Sequence, residues 1–200
     1  PAMIAQAWIT LERLFPGRPF LGIGSGEALN EVPVGDAWPS VGDQIARMEE
    51  ALEVLSTEAP DADVAALAAQ LGRLYYFRGD VELAEKRATN ALAIAERLWL
   101  PAILSDALNT LGVLAASREQ FETATGLQAH ALKVALEHDD SPAALRAYNN
   151  LTDTLCNRDA YEEALQRCDE GLALAGKVGN RMYEVVLLLE SAYPLLLLGR

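Results

Sequence analysis

Residues 71–96, LGRLYYFRGDVELAEKRATNALAIAE, return forty positions later as LGVLAASREQFETATGLQAHALKVAL at 111–136, and again as LTDTLCNRDAYEEALQRCDEGLALAG at 151–176. Four columns stay in phase at that step. They are Leu71, Leu111, Leu151 and Ser191; Ala84, Ala124 and Ala164; Leu92, Leu132 and Leu172; and Ala95, Ala135 and Ala175. A fixed period of roughly 20–50 residues, with large and small apolar residues held in register, marks a stacked repeat.

Each period divides into two helical stretches. In the first, Asp61 to Arg78 and Val81 to Trp99 carry helix patterning, with Arg78-Gly79-Asp80 as the turn between them. Glycine there can take the left-handed conformation that ends a helix. The later periods break near Ser117 and near Arg158-Asp159. Pro101 and Pro142 stand where the next helix begins, a position whose N–H has no helical partner to lose. The alanine column at 84, 124 and 164 lets the second helix of each pair approach the first closely. The leucine column at 92, 132 and 172 fills the space between neighbouring repeats, and Trp99 reads as core between repeats.

These residues resemble the tetratricopeptide repeat family. Leu71, Gly72, Tyr75, Gly79, Ala84 and Ala91 follow its order in one repeat; Leu111, Gly112, Ala124 and Ala131 in the next; Leu151, Ala164 and Gly171 in the third. A fourth shows only Ala192 and Gly199. Thr152 stands in place of the glycine, the closing proline is absent, and the step exceeds the family's usual length of about 34 residues. The resemblance implies a solenoid with a concave face built from the first helices, and a protein or peptide partner. Arg73, Asn109 and Asn149 are the candidate polar residues of that face, the last two in the same repeat phase. They read either as peptide contacts or as solvated surface with local helix contacts.

Residues 1–57 follow a different grammar. Eleven Gly or Pro residues fall within the first 42 positions, too many for helical pairs like those of the repeats. Ile4, Trp8, Leu11 and Phe15 share one helical face, and Pro16-Gly17 ends it. Phe20 to Gly24, FLGIG, reads as a short strand, with Ser25-Gly26-Glu27 as the loop after it. Ser40 and Asp43 then read as the start of a helix with the stripe Val41, Ile45, Met48, Leu52 and Leu55. Gly22, Gly24 and Gly26 do not make the dinucleotide fingerprint, because Glu27 occupies the place where its third glycine must stand.

The run FLGIGSGEALNE at 20–31, with Ala5-Gln6-Ala7 before it and Ala37-Trp38-Pro39 after it, resembles the luciferase-like superfamily. Within that superfamily it looks most like the dehydrogenases that use the deazaflavin coenzyme F420 on glucose 6-phosphate. The resemblance implies that Ser25, Gly26 and Asn30 lie against the deazaflavin. It also implies that Glu27 is the acid accepting a proton as hydride leaves the same carbon of the substrate. The family's catalytic histidine has no counterpart here, since His130 and His138 lie in the repeats. The competing reading of Glu27 is a vestigial loop acid in a piece of barrel that binds no cofactor.

The expected architecture is therefore mainly α. A tetratricopeptide-like α-α solenoid of forty-residue repeats spans 58–200, preceded at 1–57 by a helix-strand-helix segment of a luciferase-like (β/α)8 barrel. The net charge of −13 argues against a chain that neutralises phosphates, so nucleic acid and anionic membranes are excluded as partners. Two cysteines make no disulfide framework, which points to the cytoplasm. No apolar run is long enough to span a bilayer. His130 and His138, eight residues apart, do not suit a shared ion, and no metal is expected. Leu195 to Leu198 has no further helix to cover it, so self-association through this open end is an expectation. Both termini read as cut, as in a fragment of something longer. The favoured function is an interaction scaffold carrying a non-functional piece of a barrel oxidoreductase. The alternative is an F420-dependent oxidoreductase with the repeats as an appended module.

Overall fold

The computed structural model describes residues 40–55 and 61–200. The strand expected at Phe20–Gly24 and the loop carrying Ser25, Gly26, Glu27 and Asn30 lie outside these residues. Among the described residues the elements are α1 (Val41–Leu55), α2 (Ala62–Arg78), α3 (Val81–Leu98), α4 (Pro101–Ser117), α5 (Phe121–Glu137), α6 (Ser141–Asn157), α7 (Tyr161–Val178) and α8 (Arg181–Leu197). The chain divides between Leu98 and Trp99 into two compact units.

The first unit contains α1, α2 and α3. A reciprocal cap starts α1: the Asp43 N–H donates to Ser40 Oγ at 3.2 Å, and the Ser40 N–H donates to Asp43 Oδ2 at 3.2 Å. Of the expected stripe, Ile45, Met48 and Leu52 are buried, while the side chains of Val41 and Leu55 are outside the described set. Asp61 caps α2 by accepting from the Val64 N–H at 3.0 Å. Glu49 of α1 ties the unit together. Its Oε1 accepts from the Tyr75 hydroxyl at 2.7 Å and from Arg87 Nε at 2.9 Å, and Arg87 Nη2 donates to its other oxygen. Burial, reinforced by the Glu49 carboxylate, pushes the Tyr75 phenol up to about 12. It therefore remains a donor throughout the physiological range.

Close approach of α2 and α3 follows from small residues. Ala84, Ala88, Ala91 and Ala95 of α3 are fully buried. A Cβ on Gly72 would lie 3.1 Å from the Ala88 nitrogen and 3.3 Å from the Ala84 carbonyl oxygen, so the two backbones meet without an intervening side chain.

The second unit repeats this pairing. α4 packs on α5, α6 on α7, and α7 on α8, while α6 also touches both α4 and α8. First helices thus neighbour first helices along the array, as stacked repeats require. Where Gly72 faces Ala88 in the first unit, Gly112 faces Gln128 in the second, and a Cβ on Gly112 would come within 2.6 Å of Gln128 Cγ. One repeat later Thr152 takes the glycine's place and Cys168 the glutamine's, their side-chain atoms 3.8 Å apart. The departure at Thr152 is thus accommodated by a smaller residue on the opposite helix.

Turns recur every twenty residues. Gly79, Trp99, Glu119, Asp139, Asp159, Gly179 and Gly199 all have positive φ, between 52 and 84°. Each left-handed residue ends one helix and turns its last amides back: Asp80 N–H donates to Tyr75 O, Gln120 N–H to Ala115 O, and Asn180 N–H to Ala175 O, all within 2.9–3.0 Å. Trp99 corrects the sequence reading on two counts. The helix ends at Leu98, not at Trp99, and the tryptophan is 67% exposed instead of buried between repeats. It occupies the turn position, which directs its side chain away from the helix pairs. An L-residue in this region costs roughly 1–2 kcal/mol.

The alanine column is tightly enclosed, with Ala84, Ala124 and Ala164 fully buried. Replacing Ala124 with Trp should overpack the α4–α5 contact and destabilise the fold by about 1–3 kcal/mol or more. Thermal unfolding followed by circular dichroism reads this as a lower midpoint, and an unchanged midpoint would contradict the repeat register.

Candidate functional site

The first helices of the second unit carry a polar seam. On α4, Asp106 and Asn109 lie one turn apart, and on α6 the residues forty positions later, Arg146 and Asn149, repeat that spacing. Arg146 and Asp106 form an ion pair between the two helices. Asn109 is 3% exposed and its Oδ1 has no hydrogen-bond partner. Asn149 is half-buried; its Nδ2 donates to Asn150 Oδ1 at 3.3 Å, while its own Oδ1 is buried and unpartnered. A buried acceptor without a donor loses hydration and gains nothing in return, a penalty of about 1–3 kcal/mol.

The seam continues towards α8. Asp153 lies one turn beyond Asn149 on α6; it is exposed, and partial desolvation raises its carboxyl above the usual range, opposed by a hydrogen bond from Asn157. Glu190 of α8 is also raised, first by burial and then by the charge of Asp153. Two carboxyls held above their ordinary range, on the same first-helix face as the unpaired amide oxygens, suit a ligand that brings donors and positive charge.

Of the residues expected for this face, Asn109 and Asn149 occupy neighbouring first helices of one unit, one repeat apart. Arg73 is half-buried on α2 in the other unit. Asp106, Arg146, Asp153 and Glu190 are additions that the sequence reading missed. The available signal was opposite charge at one repeat phase, Asp106 against Arg146, since equivalent positions of adjacent repeats are spatial neighbours.

Other chemistry-bearing groups are accounted for locally. Cys156 and Cys168 are free and buried; burial pushes the Cys156 thiol up to about 11 and raises Cys168 as well. Such thiols are poor nucleophiles. His130 is exposed on α5, and His138 caps that helix at its C-terminal end. Among the described residues no three His, Cys, Asp or Glu side chains cluster as metal ligands, and no helix is long and apolar enough to cross a membrane.

Comparison with known proteins finds two different families along the chain. The luciferase-like monooxygenase family model matches residues 1–66, and a tetratricopeptide repeat model matches residues 144–178. The F420-dependent glucose-6-phosphate dehydrogenase of Nakamurella multipartita is 49% identical over 55 residues, covering 28% of this chain and 16% of that enzyme. The same enzyme from Segniliparus rotundus is 52% identical over 56 residues, covering 28% of this chain and 17% of that enzyme. The chain thus spans about one-sixth of the length of these curated relatives.

Among solved structures, aspartyl phosphate phosphatase F from Bacillus subtilis superposes with a TM-score of 0.69 at 16% identity. The superposition covers 96% of this chain and 45% of that one. A Rap protein complexed with competence and sporulation factor gives a TM-score of 0.68 at 20% identity, covering 74% and 41%. A Podosopora anserina putative kinesin light chain with TPR-like repeats gives 0.64 at 16% identity, covering 80% and 79%. The repeats are a tetratricopeptide-like α solenoid, joined to a short stretch similar to luciferase-like, F420-dependent oxidoreductases.

The raised carboxyl of Glu190 has a testable consequence. A folded-state value above the unfolded one contributes stability that is complete at acid pH and is lost as pH rises through the folded value. At neutral pH the charged carboxylate opposes folding, so Glu190→Gln should raise the melting temperature at about pH 7, with the gain fading near pH 4. Melting curves of both proteins across this range measure the difference, and a neutral-pH loss of stability in the variant would contradict the assigned burial.

Proposed function

We propose that this chain is a protein-interaction scaffold whose first-helix face between Asp106 and Glu190 holds an extended peptide bearing a cationic side chain. The observation that carries this reading is the pair Asn109 and Asn149, one repeat apart, each with an unpartnered side-chain oxygen. A peptide main chain supplies N–H donors at a regular spacing, and side-chain amides offer both a donor and an acceptor to it. The Asp153 and Glu190 carboxylates, both disfavoured by desolvation and Glu190 also by the charge of Asp153, gain from a lysine, arginine or N-terminal amine. The Rap structure, a solenoid of similar fold, is complexed with competence and sporulation factor, which supports a protein or peptide partner here. Arg73 belongs to the corresponding first-helix surface of the other unit in this reading. The two free, buried thiols fit a reducing cytoplasmic setting.

The domain boundary fits best near residue 57, where the Gly/Pro-rich segment gives way to the repeats. The identity of about half the residues over 55 or 56 positions favours a second reading, in which Ser25, Gly26 and Asn30 hold the deazaflavin F420 and Glu27 accepts a proton. The rest of the chain does not fit that reading. The described residues after Asp61 contribute helices and no strand, and a lone strand has no partners for its backbone groups. We favour the scaffold and assign the barrel-like piece no catalytic step. The Leu196 and Leu197 side chains on α8, both exposed, are the surface for self-association in this scheme.

Selection from a random peptide library against the whole chain tests the scaffold. Enriched sequences should carry Lys or Arg, and their affinity should fall about tenfold or more in Asn149→Ala and Asp153→Asn, a loss of at least ~1.4 kcal/mol. Peptides that bind these variants as tightly as the parent would refute the site. Titration with F420, monitored by its absorbance, should show no saturable binding. Saturation lost in Glu27→Gln or Asn30→Ala would support the oxidoreductase instead.

A further inference from the structure

Among the described residues, Trp99 is the one large side chain in the seven left-handed turn positions. The other six are three glycines, Asp139, Asp159 and Glu119; glycine and aspartate take this region more readily than other residues, whereas Trp99 holds φ at 52° and Glu119 at 60°. Burial does not compensate for it, because 67% of the residue remains exposed. Its ring meets that of His138, edge-on at 6.2 Å between centroids. That contact leaves indole surface open beside His138, which exposed Glu137 and Asp139 flank at the equivalent turn of the next repeat. Glu137 also faces Lys133, at 3.8 Å.

The turn imposes the left-handed conformation on whichever residue stands there, so the strain belongs to the fold; what the fold leaves unused is the exposed indole itself. Tryptophan and acidic neighbours together define the chemistry of what would dock. Planar guanidinium stacks on an indole face and pairs with carboxylates, and it sheds water more readily than an ammonium group. We propose that the edge formed by Trp99, His138 and Asp139 is a second docking surface, which takes an arginine-bearing segment of a protein partner with its guanidinium stacked on Trp99. The surface lies on the turns between repeats and is independent of the peptide-binding reading of the first-helix face. Charge complementarity supports a basic occupant, since both this edge and the chain as a whole, at −13, are acidic.

The test uses the full chain and a hexaarginine peptide as probe. Isothermal titration should show saturable binding that weakens at least fivefold in Trp99→Asn and at least threefold in Asp139→Asn, with hexalysine weaker than hexaarginine. Equal affinity of the parent and Trp99→Asn for hexaarginine would overturn the proposal, as would hexalysine binding as tightly as hexaarginine. In a Trp8→Phe/Trp38→Phe background the remaining tryptophan emission reports Trp99 alone, and hexaarginine should change it saturably while hexaglutamate does not. Trp99→Asn should melt no lower than the parent, because asparagine takes the left-handed region more readily. A fall of several degrees would show that the tryptophan serves the fold, and would refute the docking role.

Discussion

Close approach of two helix backbones is the constraint on which the repeats depend. Gly72 lies so near Ala88 and Ala84 that even a Cβ would crowd their backbone at 3.1–3.3 Å, and the enclosed alanines at 84, 88, 91 and 95 extend that contact along α3. Backbones this close leave little tolerance for volume, because a packed interior transmits every added methylene to its neighbours. The second unit shows the tolerance that remains: Gly112 makes space for Gln128, while Thr152 is matched by Cys168. On α7, Gly171 admits two neighbours at once, since a Cβ there would meet Leu187 Cδ1 at 2.8 Å and Tyr148 Cβ at 3.1 Å.

Helix pairs of fixed spacing then determine where everything else can go. Helices of similar length must reverse direction at equal intervals, which is why the left-handed residues fall every twenty positions from Gly79 to Gly199. First helices placed side by side turn a forty-residue step in sequence into direct contact, so that Arg146 meets Asp106. The same step sets Asn109 and Asn149 on adjacent helices. A binding face of this kind is a consequence of the stacking, and its chemistry is free to vary while the small-residue contacts stay fixed.

The same distinction separates what the residues alone reveal from what they hide. The alanine and leucine columns are legible because a repeated packing contact demands repeated residue types, and Pro101 and Pro142 mark helix starts by their missing N–H. Trp99 misleads because residue type does not reveal a left-handed turn when the position lacks glycine; the twenty-residue interval from Gly79 is the stronger signal. The burial of Asn109 is equally hidden, since an asparagine on a helix ordinarily faces water. Asp153 and Glu190 look like two unrelated surface acids, and only the packing of α6 near α8 lets the charge of Asp153 raise the cost of ionising Glu190. The loop holding Ser25, Gly26, Glu27 and Asn30 is legible as a family likeness and lies outside the described residues.

Thermal unfolding of two glycine variants tests most directly whether close backbone approach holds the helix pairs together. Gly72 lies against backbone, whereas a Cβ on Gly126 would meet nothing within 4 Å. Gly72→Val should lower the melting temperature by several degrees, and Gly126→Ala should raise it, because alanine in an open helical position is favoured by about 0.5–1 kcal/mol. If Gly72→Val melts with the parent while Gly126→Ala behaves as stated, close backbone approach is not what holds the helix pairs together.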